Sequence, residues 1–326
     1  MPTAFRRTAA LVALAAAAAL GLSSCSAADA ESGAADAAAP GETVTVKVGT
    51  LRGQPHFYHP FLYEQFAPEG VEFEVVTLDT TPALNDALVS GTVDFAITGV
   101  TPTISSIAQG RDLKIVASAA DGGSGFIANE SIDSIEDLVG KKVGYIQGSA
   151  QEVAMRLTLE AAGVDPADVE LVVVPVPDMA GTFANGSIDA FFGVEIGASI
   201  ALQNGGHELA DPYDTPIGKV NIGLVTTGEL IESDPELVQE VVDTHVATVD
   251  YMQEHTDEWL PEMVAEFGGD QAILDLAIEN FWMRSDLSEE YLGQLDALAA
   301  EMAELGLIDE APASADLVDA EFLTAS

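Results

Sequence analysis

The sequence predicts an α/β protein of two lobes, and two observations carry this prediction. From Val44 onward, short apolar strands alternate with helix-like runs, the pattern of α/β layers with largely parallel sheets. In addition, one helix-to-strand unit occurs twice, since "SGTVDFAITG" at residues 90–99 matches "NGSIDAFFGV" at residues 185–194 without a gap. The copies are about 95 residues apart, which suits one copy in each of two lobes. Two such lobes would enclose a cleft, where ligands prefer to bind.

The first 24 residues have the features of a signal peptide. Arg6 and Arg7 precede an apolar run, residues 9–22, that is too short to span a bilayer comfortably. The run ends in Leu22-Ser23-Ser24-Cys25, which resembles a bacterial lipobox. An ordinary secretory signal with an incidental cysteine is the alternative. Because Cys25 is the only cysteine in the chain, it cannot form an internal disulfide. We therefore expect cleavage before Cys25 and lipidation of its sulfur.

Residues 25–43 are predicted to be a flexible tether, because "SAADAESGAADAAAPGE" has no apolar period. Such a segment spans roughly 20–25 Å on average. The lipid and tether together would place the folded part at the outer face of the cytoplasmic membrane.

Composition and charge exclude some partners. The chain has 54 acidic and 11 basic residues, a formal net charge of −43, and 48% hydrophobic residues. Nucleic acid is excluded by repulsion, and so is strong electrostatic attraction to anionic lipid headgroups. The acidic residues are scattered, as on solvated faces, and are compatible with a saline environment.

The individual elements follow from local signals. Val44–Val48 and Val71–Thr77 are predicted strands, and Thr81-Pro82 begins a helix that Gly91 ends. Trp259 and Trp282 lie on amphipathic helical stretches and are expected in the core.

In "GKKVGYIQGSAQE", residues 140–152, a short strand, a small-residue turn and a helix start follow one another. Ser149 and Glu152 have the spacing of a capping box. The helix end could bind an anion, because its N–H groups and dipole face outward. Alternatively, the turn only connects the two elements.

Several motifs in combination resemble the substrate-binding proteins of ABC importers, in the nitrate/sulfonate/taurine group that includes thiamine-precursor binders. They are "ALVSGTVDFAITG", "DLVGKKVGYIQGS" and "NGSIDAFFG", and the resemblance runs from about Val44 to Gly268. It implies a type II periplasmic-binding-protein fold of two lobes, each a mixed sheet flanked by helices. Residues 44–128 plus 226–326 would form lobe I and residues 129–225 lobe II, with crossings at Phe126–Asn129 and Ile222–Thr226. Partners would be one small solute and a membrane permease with its ATPase.

The chain departs from this family where the family binds ligand. After the first strand it has "LRGQPHFYHPFLYEQF" in place of a small-residue helix, and Val194-Glu195-Ile196 replaces an aromatic-x-Pro segment. The resemblance therefore does not identify the ligand.

Loops at the carboxyl ends of strands supply the candidate ligand-binding residues. Arg52 is the one arginine of the mature chain in such a loop, whereas Arg156 is four residues before Glu160, the spacing of a surface pair. A guanidinium suits a sulfonate or carboxylate, and Glu195 suits an amine. The candidates are Arg52, Gln54, His56, Tyr58, Thr81, Thr98, Gly99, Thr101, Gly148, Ser149 and Glu195.

These residues predict a small anionic or zwitterionic solute of the sulfonate, taurine or nitrate type. A neutral thiamine-pyrimidine-type precursor is the alternative, with Glu195 accepting from an amino group and Tyr58 stacking on the ring. His56 and His59 form an H-x-x-H pattern, but without a third ligand it is weak evidence for metal, and we predict no metal and no cofactor.

An enzyme is the alternative of another class. A yeast pyrimidine-synthase family with this fold uses pyridoxal phosphate, a reactive histidine and iron at cysteine-rich sites. This chain has no cysteine beyond Cys25, and it has neither a nucleophile elbow nor an H-E-x-x-H motif. We therefore predict a monomeric binding protein rather than an enzyme.

Overall fold

The computed structural model describes residues 43–323, in which two mixed sheets are flanked by helices, so the predicted α/β class is confirmed. The strands are β1 (Val44–Leu51), β2 (Val71–Leu78), β3 (Phe95–Gly99), β4 (Leu113–Gly122), β5 (Ser124–Ala128), β6 (Lys142–Tyr145), β7 (Glu170–Val173), β8 (Ala190–Val194), β9 (His207–Ala210), β10 (Ile222–Thr227) and β11 (Phe281–Met283). The predicted signal peptide, Cys25 and nearly all of the tether lie outside the described residues.

Several helices directly follow a strand in the sequence. They are α1 (Thr81–Val89), α2 (Val100–Ala108), α3 (Ala150–Ala161), α4 (Met179–Ala184), α5 (Gly197–Gln203), α6 (Gly228–Ser233), α7 (Pro235–Glu254), α8 (Thr256–Phe267), α9 (Gln271–Ala277), α10 (Glu289–Glu304) and α11 (Ser314–Leu317). Within residues 43–323, no helix combines the length and apolarity needed to cross a bilayer.

The first sheet has the strand order β11-β4-β10-β3-β1-β2, and the second has the order β7-β6-β8-β5-β9. In each sheet the three strands of the βαβ part are parallel: β1 pairs with β2 and β3, and β6 pairs with β7 and β8. The remaining pairs are antiparallel, so the sheets are less parallel than the sequence suggests. The carboxyl ends of β1, β3, β6 and β8 precede most of the predicted ligand loops.

The chain passes from the first sheet to the second at one residue, Gly123, and returns between residues 211 and 221. Gly122 and Gly123 both have positive φ, at 80° and 74°. A Cβ on Gly123 would lie 2.2 Å from the Phe281 ring, so only glycine fits this close approach. Phe126 belongs to the second sheet and Ile222 to the first; the division into lobes at residues 128/129 and 225/226 stays a prediction.

The predicted internal repeat has the same hydrogen bonds in both halves. The Asp94 carboxylate accepts from the main-chain N–H of Lys47 at 2.8 Å, and Asp189 accepts from that of Lys142 at 2.9 Å. In both cases the aspartate also donates its own N–H to the carbonyl of the same lysine, at 2.8 Å. Each aspartate thus fixes the start of its strand against the neighbouring parallel strand.

The repeat extends further than the sequence motifs indicated. Lys47-Val48-Gly49 and Gly53 are each 95 positions before Lys142-Val143-Gly144 and Gly148. Gly53 and Gly148 both have φ of 72° in the turn that follows the first strand of their half. The two glycines therefore occupy corresponding positions in the two halves.

The two predicted core tryptophans differ. Trp259 on α8 is fully buried, and its indole N–H donates to the Met252 carbonyl at 2.9 Å. Trp282 is 39% exposed, so the prediction for it was wrong. It lies on β11, an edge strand, where alternate side chains face away from the core.

Candidate functional site

The turn after β8 presents Glu195 through a strained backbone. Ile196, which follows it, has φ of 65° and is the one non-glycine residue with positive φ among residues 43–323. A β-branched side chain is unfavourable there, and such strain is typical of functional sites. The Glu195 N–H donates to the Gly123 carbonyl at 2.8 Å, which anchors the turn to the point where the chain crosses between sheets.

The Glu195 side chain is 8% exposed, and each of its carboxylate oxygens has a donor. Asn280 Nδ2 donates to Oε1 at 2.6 Å, and Ser199 Oγ donates to Oε2 at 2.6 Å. Burial raises the pKa of the Glu195 carboxyl, while these two hydrogen bonds act in the opposite direction. The group is therefore an acceptor that needs N–H or O–H donors around it.

Asn280 connects Glu195 to two further groups. Its Nδ2 also donates to the Ser124 carbonyl at 2.7 Å, and its Oδ1 accepts from the Tyr213 hydroxyl at 2.6 Å. The Tyr213 oxygen in turn accepts from the Ser124 N–H at 3.0 Å. We call Ser124, Glu195, Ser199, Tyr213 and Asn280 the Asn280 network. Asn280 directly precedes β11 of the first sheet, whereas Ser124 and Glu195 belong to the second-sheet half.

The start of α3 reaches this network. Ser149 is the N-cap, as predicted, with Oγ accepting from the Glu152 N–H at 3.2 Å. The same hydroxyl donates to the Ile146 carbonyl at 2.6 Å, and Gly148 N–H donates to Glu152 Oε2 at 2.7 Å. Gln151 Nε2 donates to Ser124 Oγ at 2.9 Å, which joins the helix to the Asn280 network.

Arg156 pairs with Glu152 and not with Glu160, so the predicted surface pair was wrong. Its guanidinium donates twice to Glu152 Oε1, at 3.1 and 2.8 Å. Glu152 is nearly buried and caps the helix start, so its carboxylate recruits the arginine one turn later. A carboxylate thus already occupies part of the helix end that was considered for an anion.

His56 lies beside the network. Its ring is 4% exposed and stacks on Phe281 at 4.5 Å between centroids. Burial lowers the pKa of His56 to about 3, so the imidazole is neutral, and its buried Nδ1 has no hydrogen-bond partner. The nearby His59 bonds instead to the Ala119 carbonyl at 3.1 Å, so the two rings of the H-x-x-H pattern have different surroundings.

Other predicted residues have internal partners. Tyr58 is 4% exposed in an aromatic cluster, stacked on Phe61 and Trp259, so its ring is not available for a solute as the pyrimidine alternative required. Burial, with Glu266 and Glu262 nearby, raises the pKa of Tyr58 to about 12. The aromatic residues after β1 fill the core because α8 covers them.

The threonines of the first half also face inward. Thr98 Oγ1 bonds to the Thr81 carbonyl and to Asn85 Oδ1, each at 3.3 Å, between β3 and α1. Gly99 is the N-cap of α2, and Thr101 in its first turn is 3% exposed.

Arg52 and Gln54 lie in the turn after β1. Arg52 is exposed and donates to Thr77 Oγ1 at 2.8 Å, and Gln54 begins a 3-10 helix, Pro55–Phe57. Among the predicted residues, Glu195 and the α3 start meet around Ser124, and His56 stacks on Phe281 beside Asn280, whereas Tyr58 and Thr98 have internal partners. Their roles in ligand binding stay predictions. Sequence reasoning missed Ser124, Gln151, Tyr213 and Asn280, because no motif marks contacts between residues so distant in the chain.

An open depression of about 520 Å³ adjoins the network at Tyr213. Its lining is Glu208, Ala210, Asp211, Tyr213, Lys219 and Trp282. The Lys219 ammonium lies 3.5 Å from the centroid of the Trp282 ring, a cation–π contact. Glu208 and Asp211 give the remaining rim a negative charge.

Several basic side chains have acidic or aromatic partners. Arg284 pairs with Asp121 and Asp286, and Arg111 pairs with Asp86. Arg52, which bonds to a neutral hydroxyl, is the basic residue of this region most available to an anion. The buried charge at the Asn280 network is that of Glu195, so the electrostatics there favour a donor-bearing group.

Comparison with known proteins places this arrangement in a family context. The model of the family described as NMT1/THI5 like matches residues 64–259. A provisionally named aliphatic sulfonates-binding protein of Bacillus subtilis is 26% identical over 200 residues, which cover 60% of each chain. The formylaminopyrimidine-binding protein of Halalkalibacterium halodurans is 28% identical over 235 residues, covering 67% of this chain and 69% of the relative.

Among solved structures, the alkanesulfonate-binding protein SsuA from Xanthomonas axonopodis pv. citri, bound to MOPS, matches with a TM-score of 0.73. The match covers 86% of this chain and 99% of that one at 19% sequence identity. At this identity the likeness shows the fold, which is the predicted two-lobed architecture of periplasmic binding proteins.

Proposed function

Because the chain belongs to the NMT1/THI5 like family, we propose that it is the extracytoplasmic solute-binding subunit of an ABC importer. It would act as a monomer, anchored by lipid on Cys25, and would pass one small solute to a membrane permease with its ATPase. The relatives named as binding proteins support this role, and so does the polar network between the two sheets. Catalysis is not expected.

The buried Glu195 is the observation that carries the solute class. Both of its oxygens accept hydrogen bonds, at 2.6 Å each, in a place that is almost closed to water. A buried carboxylate without donors is strongly unfavourable, so a solute that displaces one of these partners has to supply an N–H or O–H group in its place. We propose that the solute carries an amino group that binds Glu195. A plain anion such as nitrate would be repelled.

Two chemical classes fit this requirement. Arg284, Arg156 and Arg111 already pair with carboxylates of the chain, so little positive charge is left to bind an anion. This favours a neutral aminopyrimidine as the solute. An aminosulfonate such as taurine would need Arg52 to leave Thr77 and bind the sulfonate. The two classes can therefore be distinguished by whether the affinity for the solute depends on Arg52, as it should for an aminosulfonate only.

A thermal-shift screen followed by calorimetry tests the proposal. The probes are formylaminopyrimidine, taurine, ethanesulfonate and nitrate. We expect a probe with an amino group to raise the unfolding temperature and to bind without being converted. Glu195→Gln should weaken its binding by about tenfold or more, because a charge-assisted hydrogen bond is lost. Arg52→Ala should weaken the binding of taurine but not the binding of the pyrimidine.

Glu208→Gln is the matched control, since Glu208 is a nearby carboxylate at the rim of the depression and outside the Asn280 network. It should bind the probe like the natural protein. Binding of nitrate or ethanesulfonate that Glu195→Gln leaves unchanged would refute the amino-group proposal. Turnover of a probe would refute the binding-protein role.

A further inference from the structure

The hydrogen bond between Asn280 and Glu195 joins the same kinds of group as the contact proposed for the solute, an N–H donor and the Glu195 carboxylate. A neutral amide N–H donates to Glu195 Oε1, and the donor belongs to the chain itself. The orientation of the amide is set by its other end, since Tyr213 donates to Oδ1 at 2.6 Å and so directs Nδ2 toward the carboxylate. The carboxylate therefore has its donors without any solute.

A solute amino group and Asn280 would compete for the same oxygen. Glu195 Oε2 accepts from Ser199, four residues later on α5, so this bond is local to the turn between β8 and α5. Oε1 is taken by a residue from the other half of the molecule. Displacing Asn280 is therefore the route by which a solute gains Oε1, and it leaves the turn of Ile196 undisturbed.

The same contact joins the two halves. Asn280 is held next to β11 of the first sheet, while its three partners are Glu195, Ser124 and Tyr213, in or next to the second-sheet half. Breaking these bonds would leave a buried carboxylate and a buried carbonyl with fewer donors, which is costly unless water enters. The bonds consequently favour a closed arrangement.

We infer that Asn280 is an internal substitute for the solute's amino group, which keeps the ligand-free protein closed and limits its affinity. This inference rests on the proposed function for the site, but its structural half can be measured without a solute. The residue also sets selectivity, since only a solute that is a better donor to Glu195 than a primary amide displaces it.

The first measurement is the distance between the halves without solute. Val89 and Val139 are exposed, at 49% and 54%, one in each half, so Val89→Cys and Val139→Cys can carry spin labels in a full-length chain with Cys25→Ser. Adding Asn280→Ala should lengthen or broaden the distance between the labels. An unchanged distance overturns the inference.

The second measurement is affinity for formylaminopyrimidine and taurine by calorimetry. Asn280→Ala should bind the accepted probe about tenfold more tightly, because a competing charge-assisted bond is removed. Tyr213→Phe, which keeps the amide but frees its orientation, should have a smaller effect in the same direction. Weaker binding by Asn280→Ala would make Asn280 an ordinary contact residue and overturn the inference, while the binding role would stand. If neither probe binds any variant but the labels separate, Asn280 does hold the two halves closed, whereas its role as a substitute for the solute's amino group and the proposed solute class both fail.

Discussion

Acidification should destabilise the protein through histidines that are buried in their neutral form, and His245 on α7 is the clearest case. Its ring is fully buried, with Nδ1 2.8 Å from the Tyr63 hydroxyl and Nε2 2.7 Å from the Ser118 carbonyl. Burial lowers the pKa of His245 to about 4, while the bond to Ser118 acts in the opposite direction. The His59 ring lies 5.3 Å away, so a charge on either ring would repel one on the other.

The sign follows from proton linkage. An unfolded histidine has a pKa of about 6.5, above the value for folded His245, so the unfolded state binds more protons as the pH falls. The stability that His245 contributes is present above about pH 6.5 and is lost progressively toward its folded pKa. At about pH 5 the loss amounts to about 2 kcal/mol. For a domain of this size it corresponds to roughly 4–8 °C in Tm.

His245→Gln tests this, because the amide can still donate to Ser118 but does not titrate. Tm is measured by calorimetry at about pH 7.5 and about pH 5. The natural protein should lose several degrees more than His245→Gln between the two conditions. Burial raises the pKa of Asp121 to about 6, which favours the folded state on acidification, but this contribution is common to both proteins and cancels.

Tyr63→Phe is the control, since it removes the hydroxyl bonded to His245 and leaves the titrating ring. It should lower Tm at both pH values and, because the ring still titrates, it should still lose more on acidification than His245→Gln. If His245→Gln loses as many degrees on acidification as the natural protein, the buried neutral histidine is not a source of acid sensitivity and the reasoning is refuted.

Three further outcomes are expected. Cys25→Ala should release the protein from the membrane or leave it uncleaved, and an intact mass with an unmodified N-terminus elsewhere would contradict the lipid anchor. Ser149→Ala should lower the free energy of unfolding in urea by about 1 kcal/mol, whereas Ser149→Asp keeps the cap. If calorimetry finds that only the Asp variant loses solute binding, an anionic group of the solute binds at this helix end. Gly123→Ala should lower Tm by more than Gly70→Ala, because both have positive φ but only the Gly123 Cβ would meet Phe281, at 2.2 Å. Equal decreases in Tm for the two variants would mean that backbone strain alone accounts for the destabilisation.

The parts of the fold that sequence reasoning predicted have signals that are local in the sequence. Ser149 caps α3 through a residue three positions on, and Asp94 and Asp189 occupy the same place in a repeated motif, although each bonds to a lysine 47 positions earlier. Glu195 could be found because it directly follows an apolar strand, and strand ends form ligand loops in α/β sheets. Such local signals can be recognised without knowing how distant segments pack together.

The rest depended on packing between distant segments. Asn280 is 85 positions from Glu195 and 156 from Ser124, and nothing in its local sequence marks it as a partner of either. Arg156 has carboxylates one turn before and one turn after it, and only the buried cap at Glu152 decides between them. Tyr58 could equally face a cleft or a core until α8 was placed over it.

The equivalence of Gly53 and Gly148 has a consequence for orientation. If the two turns were identical throughout, they would offer the same groups to a solute. The chain leaves these turns differently, since Gln54 precedes three successive 3-10 helices of three residues each and Ser149 precedes an α-helix of twelve residues. The two turns therefore have unlike neighbours although their glycines correspond, and if both contacted one solute under the proposed function, they would bind its two ends differently.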